Sequence, residues 1–338
     1  MDLCGVRGFK FKVLFYFAIM IRISYKTKQY LAQLVKILIV VAAFYFVYDQ
    51  LNNNNQLDWQ QFMAIFNRNK SVFGILLILL FSVLNRFLEI LKWQNLAKTV
   101  QHISVLESTK QVLAALTLGV FTPVGLGEYA GKALYFKKSQ TSEIVFLNVL
   151  CNGVQMVATA VFGFFAALVL GYYGWTFASI GIVIVVAIAI FFSKNVQIKG
   201  YALQDFITKV ANVPTKIHYR NVVLGLARYL VFTHQYYFLL LGFEVNVGYP
   251  EAIATISLVY LLASIIPSFQ FLDFALKGSL AIHFFQILGV NAWVVAFVTS
   301  LMWFLNVAIP VIIGSYFVLT FKVNPALSTN EKNKISTK

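Results

Sequence analysis

The chain has 338 residues, of which 60% are hydrophobic and 12% charged, and its formal net charge is +15. A soluble domain carries about 25% charged residues, so this chain lacks the polar side chains needed to coat a water-facing surface. A strongly basic soluble protein would suggest a nucleic-acid partner. Here Lys and Arg fall between apolar blocks, where they set orientation and meet anionic headgroups, and no nucleic-acid partner is expected. Cys4 and Cys151 show neither disulfide nor metal-ligand spacing, and His102, His218, His234 and His283 are scattered. No metal and no cofactor is expected.

Along the chain, residues 1–30 read as a basic cytoplasmic or interfacial leader. Their apolar stretch 11–21 is broken by Lys12 and is too short to span. A spanning helix needs about 20 apolar residues, because the hydrocarbon core is ~30 Å thick and each residue rises ~1.5 Å. Unbroken candidates lie at 31–48, 71–91, 143–170, 176–193, 221–243 and 292–320. Two further apolar regions, 111–137 and 250–288, are interrupted. Pro123, Gly125 and Gly127 break the first, and Pro267 and Gly278 the second. Such breaks survive at membrane depth only where protein or a wet cavity satisfies the freed backbone. Both regions are therefore expected to be broken helices or re-entrant hairpins. Residues 194–220 fit either an interfacial helix or a solvated linker, and 321–338 form a polar cytoplasmic tail.

Basic residues orient these blocks. Segments 1–36, 92–110, 137–143, 194–220 and 321–338 together hold 21 Lys and Arg, against only Arg68 and Lys70 in the opposite-side loops. The remaining four, Arg86, Lys132, Arg228 and Lys277, fall within membrane segments. Because basic loops stay cytoplasmic, both termini are expected to be cytoplasmic, in a bacterial-type inner (plasma) membrane.

The same charges recur. Pro123 is followed by Glu128 and then Lys132, while Pro267 is followed by Asp273 and then Lys277. Upstream, Leu84-Asn85-Arg86-Phe87-Leu88 matches Leu226-Ala227-Arg228-Tyr229-Leu230, and Arg86 precedes Glu128 by 42 residues where Arg228 precedes Asp273 by 45. The expected architecture is all-α: a polytopic membrane helical bundle in one domain, 31–320, made of two inverted repeats, 31–170 and 176–320. In secondary transporters such repeats build a midplane site from interrupted helices.

A charge at the bilayer centre costs roughly 2.5–3.5 kcal/mol, so Arg86, Glu128, Lys132, Arg228, Asp273 and Lys277 should face protein or water. An acid four residues before a lysine shares its helical face, and each hairpin is expected to hold its own ion pair. These six are the candidate headgroup path, weighed against a purely bundle-locking role. Glu89 and Lys92, near an expected helix end, read as a locking pair. Asn148 and Asn152 fit interhelical hydrogen bonding or a cavity wall. Gly163 and Gly171 suggest close packing, and Trp59, Trp93 and Trp175 interfacial anchoring. No Ser/His/Asp or Cys/His set is recognisable.

The run Thr122-Pro123-Val124-Gly125-Leu126-Gly127-Glu128-Tyr129-Ala130-Gly131-Lys132 resembles the signature of the lysylphosphatidylglycerol synthase transmembrane region, also called the flippase-like domain. Pro267 through Gly278, with the apolar run ending Leu288-Gly289-Val290, resembles its second signature. The chain departs from the family pattern at Phe269-Gln270-Phe271, where a Gly pair is usual, and at Asn148, Cys151 and Asn152, where charges are usual. The resemblance implies translocation of a phospholipid or lipid-linked headgroup between leaflets. With only a short polar tail before Lys338, no aminoacyl-transfer domain is expected. Arg86, Arg228, Lys132 and Lys277 would meet phosphate, while Glu128 and Asp273 would hold basic groups or an aminoacyl amine. The expected partners are anionic or phosphate-bearing membrane lipids. The alternatives are a membrane-embedded transferase acting on lipid-linked substrates and a non-transporting assembly or regulatory protein.

Overall fold

A computed structural model describes residues 71–122, 125–174, 203–266 and 273–321, with isolated positions at 30–31, 34, 176–177, 180–181, 197–198, 201–202 and 270. Nearly all of the expected spans 31–48 and 176–193, of the leader and of the tail lie outside the described residues, as do Pro123, Pro267, Trp59 and Trp175.

The described chain is helical apart from a two-residue antiparallel ladder between β1 (Gln197–Ile198) and β2 (Tyr201–Ala202). The first helices are α1 (Val72–Ala97), α2 (Val105–Val120), α3 (Leu126–Ala133) and α4 (Thr141–Val169). After the ladder come α5 (Leu203–Asn212), α6 (Thr215–Gly242), α7 (Tyr249–Ile265) and α8 (Asp273–Ile287). Last are α9 (Ala292–Trp303) and α10 (Ile309–Thr320), joined without a gap by a π-helical stretch, Phe304–Ala308.

Three helices are long and apolar enough to cross a membrane: Val72–Ala97, Lys138–Val169 and Ala292–Thr320. By length and composition this is a membrane protein. α6 matches them in length, at 28 residues, but carries Lys216, Arg220 and Arg228. The outward faces are apolar, with Phe73, Leu76 and Val83 of α1 and Val157 and Phe165 of α4 exposed, while Asn85, Glu89 and Lys92 are buried. That is the reverse of a water-soluble surface and suits hydrocarbon as solvent.

Local chemistry sets the helix ends. Ser71 caps α1 by accepting from the Gly74 N–H at 3.1 Å. Ser104 and Glu107 form a reciprocal capping box at the start of α2, at 3.1 and 2.8 Å. α4 and α8 both end on glycines in the left-handed region, Gly171 (φ 79°) and Gly289 (φ 75°). Each closes a Schellman turn, with Tyr172 N–H donating to the Ala167 carbonyl and Val290 N–H to the Phe285 carbonyl. Gly171 serves the turn, and among the described residues a Cβ there would meet nothing within 4 Å.

The described helices stop on either side of both interruptions. Between α2 and α3 the chain reverses through Gly125, whose φ of 67° suits a residue without Cβ. The Gly127 N–H donates to Thr122 Oγ1 at 2.7 Å. α3 then runs back along α2, with Glu128 against Gly119, Gly127 against the Leu118 carbonyl and Gly131 against Ala115. α7 ends at Ile265 and α8 begins at Asp273. Two of the expected breaks need correction. Gly127 lies in the first turn of α3 and Gly278 inside α8, since one helical glycine costs only about 1 kcal/mol relative to alanine. Gly127 instead lets the two backbones touch, and among the described residues a Cβ at Gly278 would meet only Thr299.

α1 and α6 form the central antiparallel pair: Ser82 meets Gln235, Asn85 and Glu89 meet Arg228, and Asn95 meets the Ile217 carbonyl. α10 packs on α2, and α7 on α4. Close approach is allowed by Gly314 against Leu113 and Thr117, and by Gly163 against Leu261. Trp93 is not an interfacial anchor. It is fully buried, with its indole N–H donating to Gln111 at 2.6 Å. α1 runs on to Ala97 and carries Trp93 inside with it. Of the two readings of 194–220, residues 203–212 are helical. Phe206 of α5 meets Phe146 edge-on at 5.5 Å, and Ile207 stays exposed.

A Cβ at Gly131 would lie 2.9 Å from the Ala115 Cα, whereas one at Gly153 would meet nothing within 4 Å among the described residues. Gly131→Val should therefore destabilise by about 1–3 kcal/mol through overpacking. Gly153→Ala should be neutral or gain up to about 1 kcal/mol. Melting midpoints in a non-ionic detergent check both.

Candidate functional site

The antiparallel packing of α1 on α6 brings Arg86 and Arg228 to one level. Arg228 reaches Glu89 of α1, Nη1 to Oε2, at 2.6 Å. Its Nε donates to Asn85 Oδ1 at 3.0 Å, and Asn85 Nδ2 donates to Asn306 Oδ1 at 2.7 Å. Asn306 Nδ2 in turn donates to Gln235 Oε1 at 3.0 Å. Arg86 donates from Nη2 to the Asn306 carbonyl. That carbonyl is open to it because residue 310, four positions on, is proline and has no N–H for the ordinary helical bond. The π-helical stretch centred on Asn306 thus joins the two arginine helices.

Each hairpin holds its ion pair. Lys132 Nζ lies 2.8 Å from Glu128 Oε1 and donates to Asn148 Oδ1 at 2.6 Å. It also lies 4.7 Å from the centre of the Trp93 ring. Lys277 pairs with Asp273 and sits 5.2 Å from the centre of the Tyr260 ring. The two pairs differ in exposure: Lys132 and Glu128 are 0% and 15% exposed, Lys277 and Asp273 30% and 28%. The first hairpin's lysine is sealed, and the second's is open.

Between these elements lies a cavity of about 450 Å³, within the 300–1,000 Å³ range of small-molecule sites. Five of the six expected path residues line it: Arg86, Glu128, Arg228, Asp273 and Lys277. Lys132 does not line it but pairs with Glu128, which does. Gly125, Gly127 and Gly278 shape the hairpins without lining it. Among the described residues, no group of His, Cys, Asp and Glu has metal-binding geometry.

Glu89 is more than a locking partner. It does pair with Lys92, at 3.5 Å, but it also takes Arg228 and lines the cavity. Nor does the pair sit near a helix end, because α1 continues to Ala97. Reading the sequence also missed Asn85, Gln155, Gln235, Gln270 and Asn306 as elements of the site. The available signal was composition, since amides inside apolar blocks are costly without partners. Asn148 bonds Lys132 and Asn152 lines the cavity, so both of their expected roles are present.

No family model matches the chain, and no curated protein matches it. The resemblance to the flippase-like domain therefore rests on the motif residues alone.

Removing one partner of a buried pair leaves an uncompensated charge, at a cost of about 3–5 kcal/mol. Glu128→Gln strands Lys132, which is fully buried, and should lower the melting midpoint sharply. Adding Lys132→Met should restore most of the loss. Asp273→Asn should cost much less, because Lys277 is open to the cavity and screened there. Melting midpoints of these three variants, compared in one detergent, decide it.

Proposed function

We propose that this protein moves a phospholipid or a lipid-linked headgroup between the leaflets of an inner (plasma) membrane, as a polytopic bundle of two inverted repeats with both termini cytoplasmic. The observation that carries the reading is the cavity, in which charges from both halves converge between two broken-helix hairpins. A headgroup crossing the bilayer needs polar contacts at depth, and unneeded charges there would be costly.

The helix packing supports the duplication. When α1, α2, α3 and α4 are exchanged for α6, α7, α8 and the α9–α10 rod, the main contacts map onto one another. α2 on α10 becomes α7 on α4, α1 on α2 becomes α6 on α7, and α3 on α4 becomes α8 on α9. The antiparallel run of α1 and α6 fits an inversion. The unequal exposure of the two ion pairs fits a state open at the second hairpin and closed at the first. Alternating access would exchange them.

The test is leaflet-resolved lipid movement in proteoliposomes. Wild type should equilibrate a labelled phospholipid between leaflets. Asp273→Asn combined with Lys277→Met should fold but slow movement by about tenfold or more, the rate factor that about 1.4 kcal/mol of barrier produces. Chemical conversion of the lipid without movement would instead establish a transferase. Neither movement nor conversion would leave the charges a structural role, and either result refutes the proposal.

A further inference from the structure

We propose that the cavity selects a phosphate monoester and holds it through Arg86. Eight charged groups line the cavity or pair directly with a group that does. Five are cations, Arg86, Arg228, Lys92, Lys132 and Lys277, and three are carboxylates, Glu89, Glu128 and Asp273. Two positive charges are left over among the described residues. Low-dielectric walls focus a surplus of that kind into the cleft even where water enters, which favours an anionic occupant.

The pairing shows where the surplus lies. Lys132 takes Glu128, Lys277 takes Asp273, and Lys92 and Arg228 share Glu89. Arg86 has no carboxylate partner among the described residues. Its Nη2 is spent on the Asn306 carbonyl, and its Nε is buried without a partner. The Gln155 amide, on the same cavity, also lacks partners among the described residues at both its nitrogen and its oxygen. Gln270 adds a fourth atom unsatisfied among the described residues, Oε1. A guanidinium edge and an amide donor suit a tetrahedral oxyanion, and the two amide oxygens suit its P–O–H or a neighbouring hydroxyl.

Two headgroup classes fit less well. A headgroup amine finds no free carboxylate, since all three are engaged by Lys or Arg, so a zwitterion would bring its cation among surplus cations. A phosphodiester brings one negative charge, whereas a monoester brings about 1.5–2 at pH 7. Only the monoester comes close to cancelling the surplus. This rests on the translocation reading solely for the source of the phosphate, a lipid.

The test uses the purified full chain in a non-ionic detergent and follows its melting midpoint. The probes are dodecyl phosphate, inorganic phosphate and phosphatidylethanolamine. Dodecyl phosphate should raise the midpoint saturably, and phosphatidylethanolamine should not. Arg86→Gln should weaken the dodecyl phosphate affinity by about tenfold to a hundredfold, the usual range for a lost hydrogen bond to a charged group. Arg86→Lys, which keeps the charge without the fork, should lie between. Should Arg86→Gln fail to fold, Gln155→Leu takes its place and should also weaken binding. No shift with either phosphate, a shift unaffected by these variants, or an equal shift with phosphatidylethanolamine would overturn the inference. Inorganic phosphate binding as tightly as dodecyl phosphate would uphold the phosphate site but make its source a free anion, which counts against lipid translocation alone. Movement of phosphatidylethanolamine between leaflets as fast as a monoester lipid would overturn the selectivity and leave translocation standing.

Discussion

The Glu89–Arg228 ion pair is the contact from which the rest of the interior follows. In hydrocarbon, a buried charge has no water to fall back on and must find its partner within the protein. Glu89 meets that demand for two cations at once, Lys92 on its own helix and Arg228 on α6. The pair fixes the level at which the antiparallel helices meet. At that level Asn85 lies between Arg228 and Asn306, and Asn306 sits where Pro310 leaves its carbonyl open for Arg86. One carboxylate thus ties α1, α6 and the π-helical junction of α9 with α10 into a single polar network, inside helices whose outer faces are apolar.

The two hairpins are built on this centre with the same parts and different outcomes. α3 lies against α2 because Gly119, Gly127 and Gly131 remove the side chains that would hold them apart, and Lys132 is sealed beneath Glu128. In the second hairpin Lys277 and Asp273 keep access to the cavity. In the proposed inverted repeat, equivalent contacts with unequal exposure of the two ion pairs would support two states of similar energy. In the proposed function, exchange between those states carries the headgroup.

Much of this was legible in the sequence, because the bilayer imposes strong constraints on it. Length and apolarity located α4 and the α9–α10 rod to within two residues and the start of α1 to within one, but α1 runs six residues past its expected end at 91. The acid–lysine spacing of four gave both hairpin pairs, and the described helices stop at Val120 and Ile265 and resume at Leu126 and Asp273, on either side of Pro123 and Pro267. Glu89 was misjudged because its second partner, Arg228, is 139 positions away in the chain, and local spacing reports only Lys92. Asn85, Gln235 and Asn306 were missed for the same reason, as their bonds cross between helices. Gly127 and Gly278 were assigned to breaks because glycine marks helix ends and close helix contacts alike. Which one applies depends on what the neighbouring helix brings to that face.

In the proposed function, water reaches the cavity that Arg86, Arg228 and Lys277 line among apolar helices. Met156 and Val157 test it directly. They adjoin in α4 and are 64% and 63% exposed, yet Met156 lines the cavity and Val157 does not. In a variant with Cys4 and Cys151 replaced, a nitroxide can be placed at each position in turn, in lipid bilayers, and its collisions with oxygen and with a water-soluble nickel chelate compared. The label at 156 should meet the nickel chelate, while the label at 157 should meet oxygen almost exclusively. Equal, oxygen-dominated collisions at both positions would mean that lipid fills the space beside Arg86 and Arg228, and would contradict the claim.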